Sequence, residues 1–582
     1  MRSGLLAVRA INQYRRRDVL SYVGLRYYLE NDCSKNDLWA NDISRHLVNT
    51  RDTPIYHCSH HFKEISNDGK IEYRDIYLPG ANEILAESAL IYECSTEPAF
   101  KSLNCVYSYH FPEISSKEGI FKNYFTGFQR RNNSIANVCT ELNDSSTIVR
   151  YTDIKKFYPN IRHELALEVW KSACDTSTIS NTSRELGERL LSQYAETSKV
   201  NPDVLGVLTG PMFSHFIANL VLNKVNERMS QHMDDKYWRY VDDFVLVGSP
   251  NQISTSRNLL HSMLNDMGFA LHDEGKDFEV ESNVYLEATK NSDNSKSNLW
   301  RNLIGNIKRL LITKPEEMAN LKNAFSDKGI NIPLLDYSNT VAEFSYKEQF
   351  YDWLSKYSWA PNSVSLITIN NLVNDAVRIR DIYHREVNII LNNNFNVEGY
   401  QRKQLISKIR FYAMRLSYLA IPEDLASLSS AISSYPELYL QSSVMKAIYS
   451  QDVSSLIKLG ANAAQAVAQV LRIQNNNVEC SHNLFGKVEL QSLAVLRLNG
   501  IEIKFPENLD CNALSDDPLN QFASGRNPLD LMKSHDLFIK EIACLRGTER
   551  PLRHKDFLNS AFDRDEQLSF DIIDQLQVSS YF

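Results

Sequence analysis

The run Tyr237-Trp238-Arg239-Tyr240-Val241-Asp242-Asp243-Phe244-Val245-Leu246-Val247-Gly248 constrains the fold of this chain more than any other stretch. Aromatic and β-branched residues stand on both sides of two adjacent carboxylates, which reads as strand, tight turn, strand. Two like charges at the end of buried strands are costly unless they share a cation. Taken alone, an Asp-Asp pair is most often a chance exposed turn. A second acidic position changes that balance.

Asp153 ends the apolar run Thr147-Ile148-Val149-Arg150-Tyr151-Thr152, 89 residues before Asp242. That interval has room for two helices and a loop between the strands. Antiparallel pairing would then bring Asp153, Asp242 and Asp243 to one end of a sheet. Three carboxylates suit two magnesium ions roughly 3.5–4 Å apart. An all-oxygen donor set without His or Cys fits that ion.

Four motifs in order resemble those of a reverse transcriptase. Asp153-Ile154-Lys155-Lys156-Phe157-Tyr158-Pro159-Asn160-Ile161 is similar to palm motif A. Residues 206–219, GVLTGPMFSHFIAN, resemble motif B, and Tyr240-Val241-Asp242-Asp243 resembles motif C. Gly268-Phe269-Ala270-Leu271 followed by Lys276 resembles motif D. The resemblance spans about 60–290. It implies an enzyme, an RNA-directed DNA polymerase that takes deoxynucleoside triphosphates and makes DNA. Catalysis and metal binding would rest on Asp153, Asp242 and Asp243, with two Mg2+ ions as cofactor.

The resemblance also assigns a nucleotide pocket: Arg74 on the triphosphate, Ile154 beside the metals, Gly210 and Ser214 near the nascent base pair, and Lys276 near the pyrophosphate. Tyr158 stands where the family places its ribose gate, with Phe157 as the rival. Leu208 departs from the usual motif B proline, and Thr209 from the glutamine of some relatives, which puts ordinary template handling in doubt.

The implied fold class is α+β. An N-terminal helical segment (1–56) precedes fingers (57–145), a palm (146–295) and a large α-helical repeat-like C-terminal region (296–582). A hairpin turn is expected at Asn67-Asp68-Gly69-Lys70, and a polar turn at Arg130-Arg131-Asn132-Asn133. Helices are expected over 212–230 and 254–268, then over 301–311, 344–358, 368–390, 401–418, 439–457 and 462–473. Apolar residues recur at helical spacing at Leu405, Ile409, Tyr412, Leu416 and Leu419, and at Val467, Val470 and Leu471. Such faces pack on neighbouring helices or on other subunits.

Net charge is −8, so nucleic acid must be met in a local groove rather than by a general basic surface. Nine scattered cysteines with no C-x-x-C suit a reducing cytoplasm, and no apolar run is long enough for a membrane span. His57-Cys58-Ser59-His60-His61 has no second ligand pair at zinc spacing. Tyr581 is a tail tyrosine, read as a mere terminus rather than a priming hydroxyl.

With no standard thumb, no RNase H region and no V-T-G signature, the chain looks more like the bacterial defence-associated and abortive-infection reverse transcriptases. That group implies an anti-phage role, synthesis with or without a template, priming on a protein tyrosine, and a homo-oligomer such as a trimer or hexamer. A non-coding RNA is a further partner it allows. A conventional templated enzyme of a mobile element or retron is the alternative.

Overall fold

The computed structural model describes residues 3–14, 56–144, 146–200, 206–272, 276–290, 294–334, 367–392, 399–506 and 512–546, apart from single residues and pairs inside these ranges, with Leu20, Leu25 and Val397 besides. Everything below concerns these residues. The expected helix over 344–358, most of the N-terminal segment and Tyr581 lie outside them.

The first sheet is a hairpin. Strand β1 (Tyr56–Ile65) pairs antiparallel with β2 (Ile71–Pro79). Gly69, at φ +79, makes the turn expected from Asp68-Gly69. The second sheet has four antiparallel strands: β3 (Ile148–Asp153), β4 (Tyr237–Tyr240), β5 (Asp243–Gly248) and β6 (Phe278–Glu281), in the order β4-β5-β3-β6.

Helices cover this sheet on both faces. Directly paired residues share a face, so Asp153, Asp243 and Tyr240 lie on the same side, as do Tyr151, Val245 and Trp238. Across that face runs α1 (Tyr124–Leu142), which adds Ile135 and Cys139 to a core with Val149, Tyr151, Trp238, Val245 and Val247. The Trp238 indole donates to Ser134 Oγ at 2.9 Å, and the Tyr240 hydroxyl to the Tyr124 carbonyl at 3.0 Å. The opposite face, with Phe244 and Leu246, joins a larger core that includes α2 (Met212–Val221).

Around this sheet two sequence expectations shift. The polar turn at Arg130-Arg131-Asn132-Asn133 is the middle of α1, because Arg131 is buried against the sheet rather than solvated. The helix expected over 212–230 is broken at Leu222 into Met212–Val221 and Asn223–His232.

The C-terminal half is mostly helical. It includes Asn294–Thr313, Ile369–Asn392, α3 (Gly399–Leu419), Tyr439–Ser450, α4 (Ala461–Gln474) and α5 (Lys487–Leu498). The expected helix over 439–457 stops at Ser450, where Gln451 turns at φ +57. A short parallel pair, β7 (Asn477–Glu479) with β8 (Glu502–Lys504), departs from a purely helical reading. Ile409, Tyr412, Leu416 and Leu419, with Val467, Val470 and Leu471, are buried in one continuous core, and Leu405 packs against it. These faces are therefore used inside the chain.

The hairpin β1–β2 is held from two sides by glycines. Gly210 is at φ +136, and a Cβ there would come 2.2 Å from the Tyr77 carbonyl oxygen of β2. Gly460, just before α4, is at φ +89, and a Cβ would come 2.1 Å from the His60 carbonyl oxygen of β1. Only glycine allows either approach. The Tyr77 amide donates to Thr209 at 2.7 Å, and the Tyr73 hydroxyl to Lys458 at 2.8 Å. Gly210 thus sits against the β1–β2 hairpin, a close approach that motif spacing alone does not reveal.

Candidate active site

The turn between β4 and β5 is tight and strained. Val241 adopts φ +58, an uncommon conformation for a β-branched residue. It persists because neighbours hold both of its backbone polar groups. The Val241 amide donates to Ser108 Oγ at 2.9 Å, and its carbonyl accepts from Arg239 Nη1 at 2.6 Å. Arg239 is wholly buried and also bonds Asn226 and Asn219 at 3.0 Å each. Such strain concentrates where a fixed geometry is needed.

This turn presents Asp242, and β5 begins with Asp243 opposite Asp153 of β3. Carboxylate oxygens of the three residues lie within 4.8 Å of one another. Asp153 and Asp243 are buried and Asp242 is half-buried. Burial first, then the Asp153 charge, pushes the Asp242 carboxyl up to about 7, against the pull of Lys276 and Arg74. The same two causes, with Asp242 added, raise Asp243 well above the carboxylate range. One Asp153 oxygen, Oδ1, is buried without a hydrogen-bond partner. An all-oxygen cluster with mutual repulsion and an orphaned oxygen fits divalent metal ions.

Protein cations approach the same carboxylates. The Lys276 amine donates to Asp153 Oδ2 at 2.8 Å, and His272 Nε2 lies 3.8 Å from the same oxygen. Arg131 Nη1 lies 4.0 Å from Asp243 Oδ2. Its guanidinium also stacks over Phe128 at 4.7 Å and Tyr240 at 5.5 Å. Lys403, from α3, places its amine 3.9 Å from the centre of the Phe278 ring on β6. Burial, then the neighbouring Lys276 charge, pulls it down to about 8. The sequence reading missed both Arg131 and Lys403. Neither is in a catalytic motif, and no residue pattern marks either.

The other residues assigned to the nucleotide pocket fall as follows. Arg74 is exposed on β2, and its charge is felt at Asp242. Ile154 is buried, and its amide donates to the Asp242 carbonyl at 3.3 Å. Ser214 is fully buried in the first turn of α2 with no hydrogen-bond partner for Oγ. Phe157 is buried edge-on to Phe269 at 5.5 Å. Tyr158 carries its hydroxyl to His215 Nδ1 at 2.5 Å.

A second cluster, Cys58, His60 and Asp75, lies on one face of the β1–β2 hairpin. Its chemistry favours a hydrogen-bonded pair. His60 Nδ1 and Asp75 Oδ1 are 2.7 Å apart, and burial pushes the Cys58 thiol up to about 12, where it keeps its proton.

Residues 94–283 match the family described as reverse transcriptase (RNA-dependent DNA polymerase). The chain carries a reverse-transcriptase domain. On that domain it is an enzyme, an RNA-directed DNA polymerase, and the three carboxylates lie within the matched span. No curated protein matches the sequence. Among solved structures, a telomerase from Candida albicans, in complex with a fragment of telomeric RNA, is similar at 10% identity. That likeness covers 70% of this chain and 69% of the other, with a TM-score of 0.25. Among the described residues, no helix is long and apolar enough to cross a membrane.

Proposed function

We propose that the protein adds deoxynucleotides to a growing DNA by two-metal catalysis, RNA-directed or without a template, in bacterial antiviral defence. The observation that carries this reading is the carboxylate cluster, whose oxygens lie within 4.8 Å of one another at the end of a sheet. The face bearing Asp153 and Asp243 packs against α1 and against Tyr400 of α3, burying Tyr151, Val245, Val247 and Trp238. The defence group is preferred to a mobile-element or retron enzyme on the resemblance of the motifs and the lack of a standard thumb. The joining of a palm to a large helical half supports the same group.

The three carboxylates would hold two magnesium ions, which when bound activate the attacking 3′-hydroxyl and neutralise the leaving pyrophosphate. Lys276 stands on Asp153 and would turn to the phosphates as they arrive. Arg74, exposed on the fingers hairpin, would grip the triphosphate. The ring of Tyr158 would meet the ribose 2′ position and refuse a hydroxyl there. Gly210 would keep the fingers hairpin close enough to reach the nucleotide, and Ser214 would support that wall from below. The regions 1–56, 57–145, 146–295 and 296–582 would act as N-terminal segment, fingers, palm and helical platform.

The test is to purify the protein from cells, sequence any bound nucleic acid and supply labelled deoxynucleotides with no added primer or template. Product that forms, resists RNase and yields to DNase supports the reading. Product that appears only with primer and template supports the conventional enzyme. Label that stays on denatured protein identifies a tyrosine primer, and light scattering well above 66.8 kDa identifies the oligomer, trimer or hexamer. A co-purifying non-coding RNA would name the further partner. Phage challenge of cells carrying wild type or Asp242→Ala tests the defence role. Equal plaque counts would end it.

A further inference from the structure

Tyr158 does not stand alone. Its hydroxyl reaches His215 Nδ1 at 2.5 Å. The His215 ring is 2% exposed and lies flat on Tyr109, with centroids 4.4 Å apart and planes 10° from parallel. Tyr109 itself adopts φ +50, and its ring meets Phe121 edge-on at 5.3 Å. His215 belongs to α2, every residue of which is buried. A rigid, fully packed helix therefore holds an imidazole, and the imidazole holds the far end of the Tyr158 side chain.

We propose that His215 is the positioning residue for sugar selection: by fixing the Tyr158 hydroxyl it fixes the ring, and so sets how strictly ribonucleotides are refused. This rests on the reading of Tyr158 as the ribose gate. A tyrosine ring turns about two side-chain bonds, and a small swing makes room for one hydroxyl. A hydrogen bond at the ring's far end removes that swing, because the bond tolerates little change in length or angle. Sterically, Tyr158→Phe keeps the same ring. The role of His215 thus predicts that a gate of unchanged size still leaks once its tether is cut. His215→Phe cuts the tether from the other side while keeping a flat ring on Tyr109.

The experiment compares kcat/KM for a ribonucleotide and the matching deoxynucleotide in wild type, Tyr158→Val, Tyr158→Phe, His215→Phe and the double Phe variant. Tyr158→Val should raise relative ribonucleotide use the most. Tyr158→Phe and His215→Phe should each raise it about three- to tenfold, the worth of one hydrogen bond. The double variant should match the singles, since both remove one shared contact. An unchanged ratio in Tyr158→Val overturns the gate itself, and the proposal with it. A relaxed ratio in Tyr158→Val with wild-type ratios in both single Phe variants leaves the gate standing and overturns the role of His215. Multiplying effects in the double variant overturn it too. Tyr158→Phe changes a single atom, so it keeps the test open if His215→Phe fails to fold.

Discussion

The end of the β3–β5 sheet and the core of the helical half bury their side chains for opposite reasons. In the helical half, Leu416, Leu419, Val467 and Leu471 exclude water from apolar surface, which stabilises the fold directly. At the sheet end, Asp153 and Asp243 are buried beside a half-buried Asp242, next to a strained Val241 and an Asp153 oxygen without a partner. That arrangement opposes folding, and Lys276 and Arg131 offset only part of the cost. The contrast teaches that one region supplies the stability that lets the other hold its charges in place. Arg131 and Lys403 blur the boundary, because α1 and α3 bring cations to the carboxylate end.

The sharpest break of this contrast is Asp242→Ala. Incorporation should fall by about a thousandfold or more, since metal organisation supplies much of the barrier reduction. The melting temperature of the metal-free protein should hold or rise, because one repelling charge is gone. Near-normal incorporation would remove the site from these residues.

Leu416→Ala should do the reverse. A buried leucine lost from a packed core costs about 2–5 kcal/mol. Urea titration should show that loss, while incorporation per folded molecule stays near normal. A fall in rate without a fall in stability would instead place this part of α3 in the site.

Arg131→Met tests the blurred boundary. In the absence of divalent ions, Asp243 loses the cation 4.0 Å from its Oδ2, with a cost of about 3 kcal/mol for a broken buried pair. The loss should shrink at saturating magnesium. A loss unchanged by magnesium would make Arg131 a packing residue only.

The smallest effect concerns pH. The folded Asp242 carboxyl lies at about 7, above its unfolded value near 3.9. The folded state then binds the proton more tightly between those values. Metal-free stability should therefore fall as pH rises toward and through 7. A drop of about a few degrees in melting temperature from pH 5 to pH 8 is expected. Asp242→Asn should reduce the slope to the share that Asp243 contributes, and an equal slope in that variant would assign the titration elsewhere.

Much of this was legible in the sequence because the signals were local. The strand–turn–strand around Asp242 and Asp243, the Asp68-Gly69 turn and the apolar stripes of α3 and α4 each follow from a few neighbouring residues. The Arg130–Asn133 segment misled because its polarity imitates a turn. A guanidinium can be buried in mid-helix when rings and a carboxylate receive it, and those partners are distant in the chain.

Residue type, order and spacing placed each carboxylate at a strand end, because strand alternation is a short-range rule, and the resemblance of the four motifs implied that the three meet. Tertiary structure alone decided that α1 closes the sheet face, that Lys403 reaches Phe278 from the C-terminal half and that His215 holds Tyr158. These contacts join residues up to 125 positions apart. Their energies depend on burial and partner geometry, which no local pattern encodes.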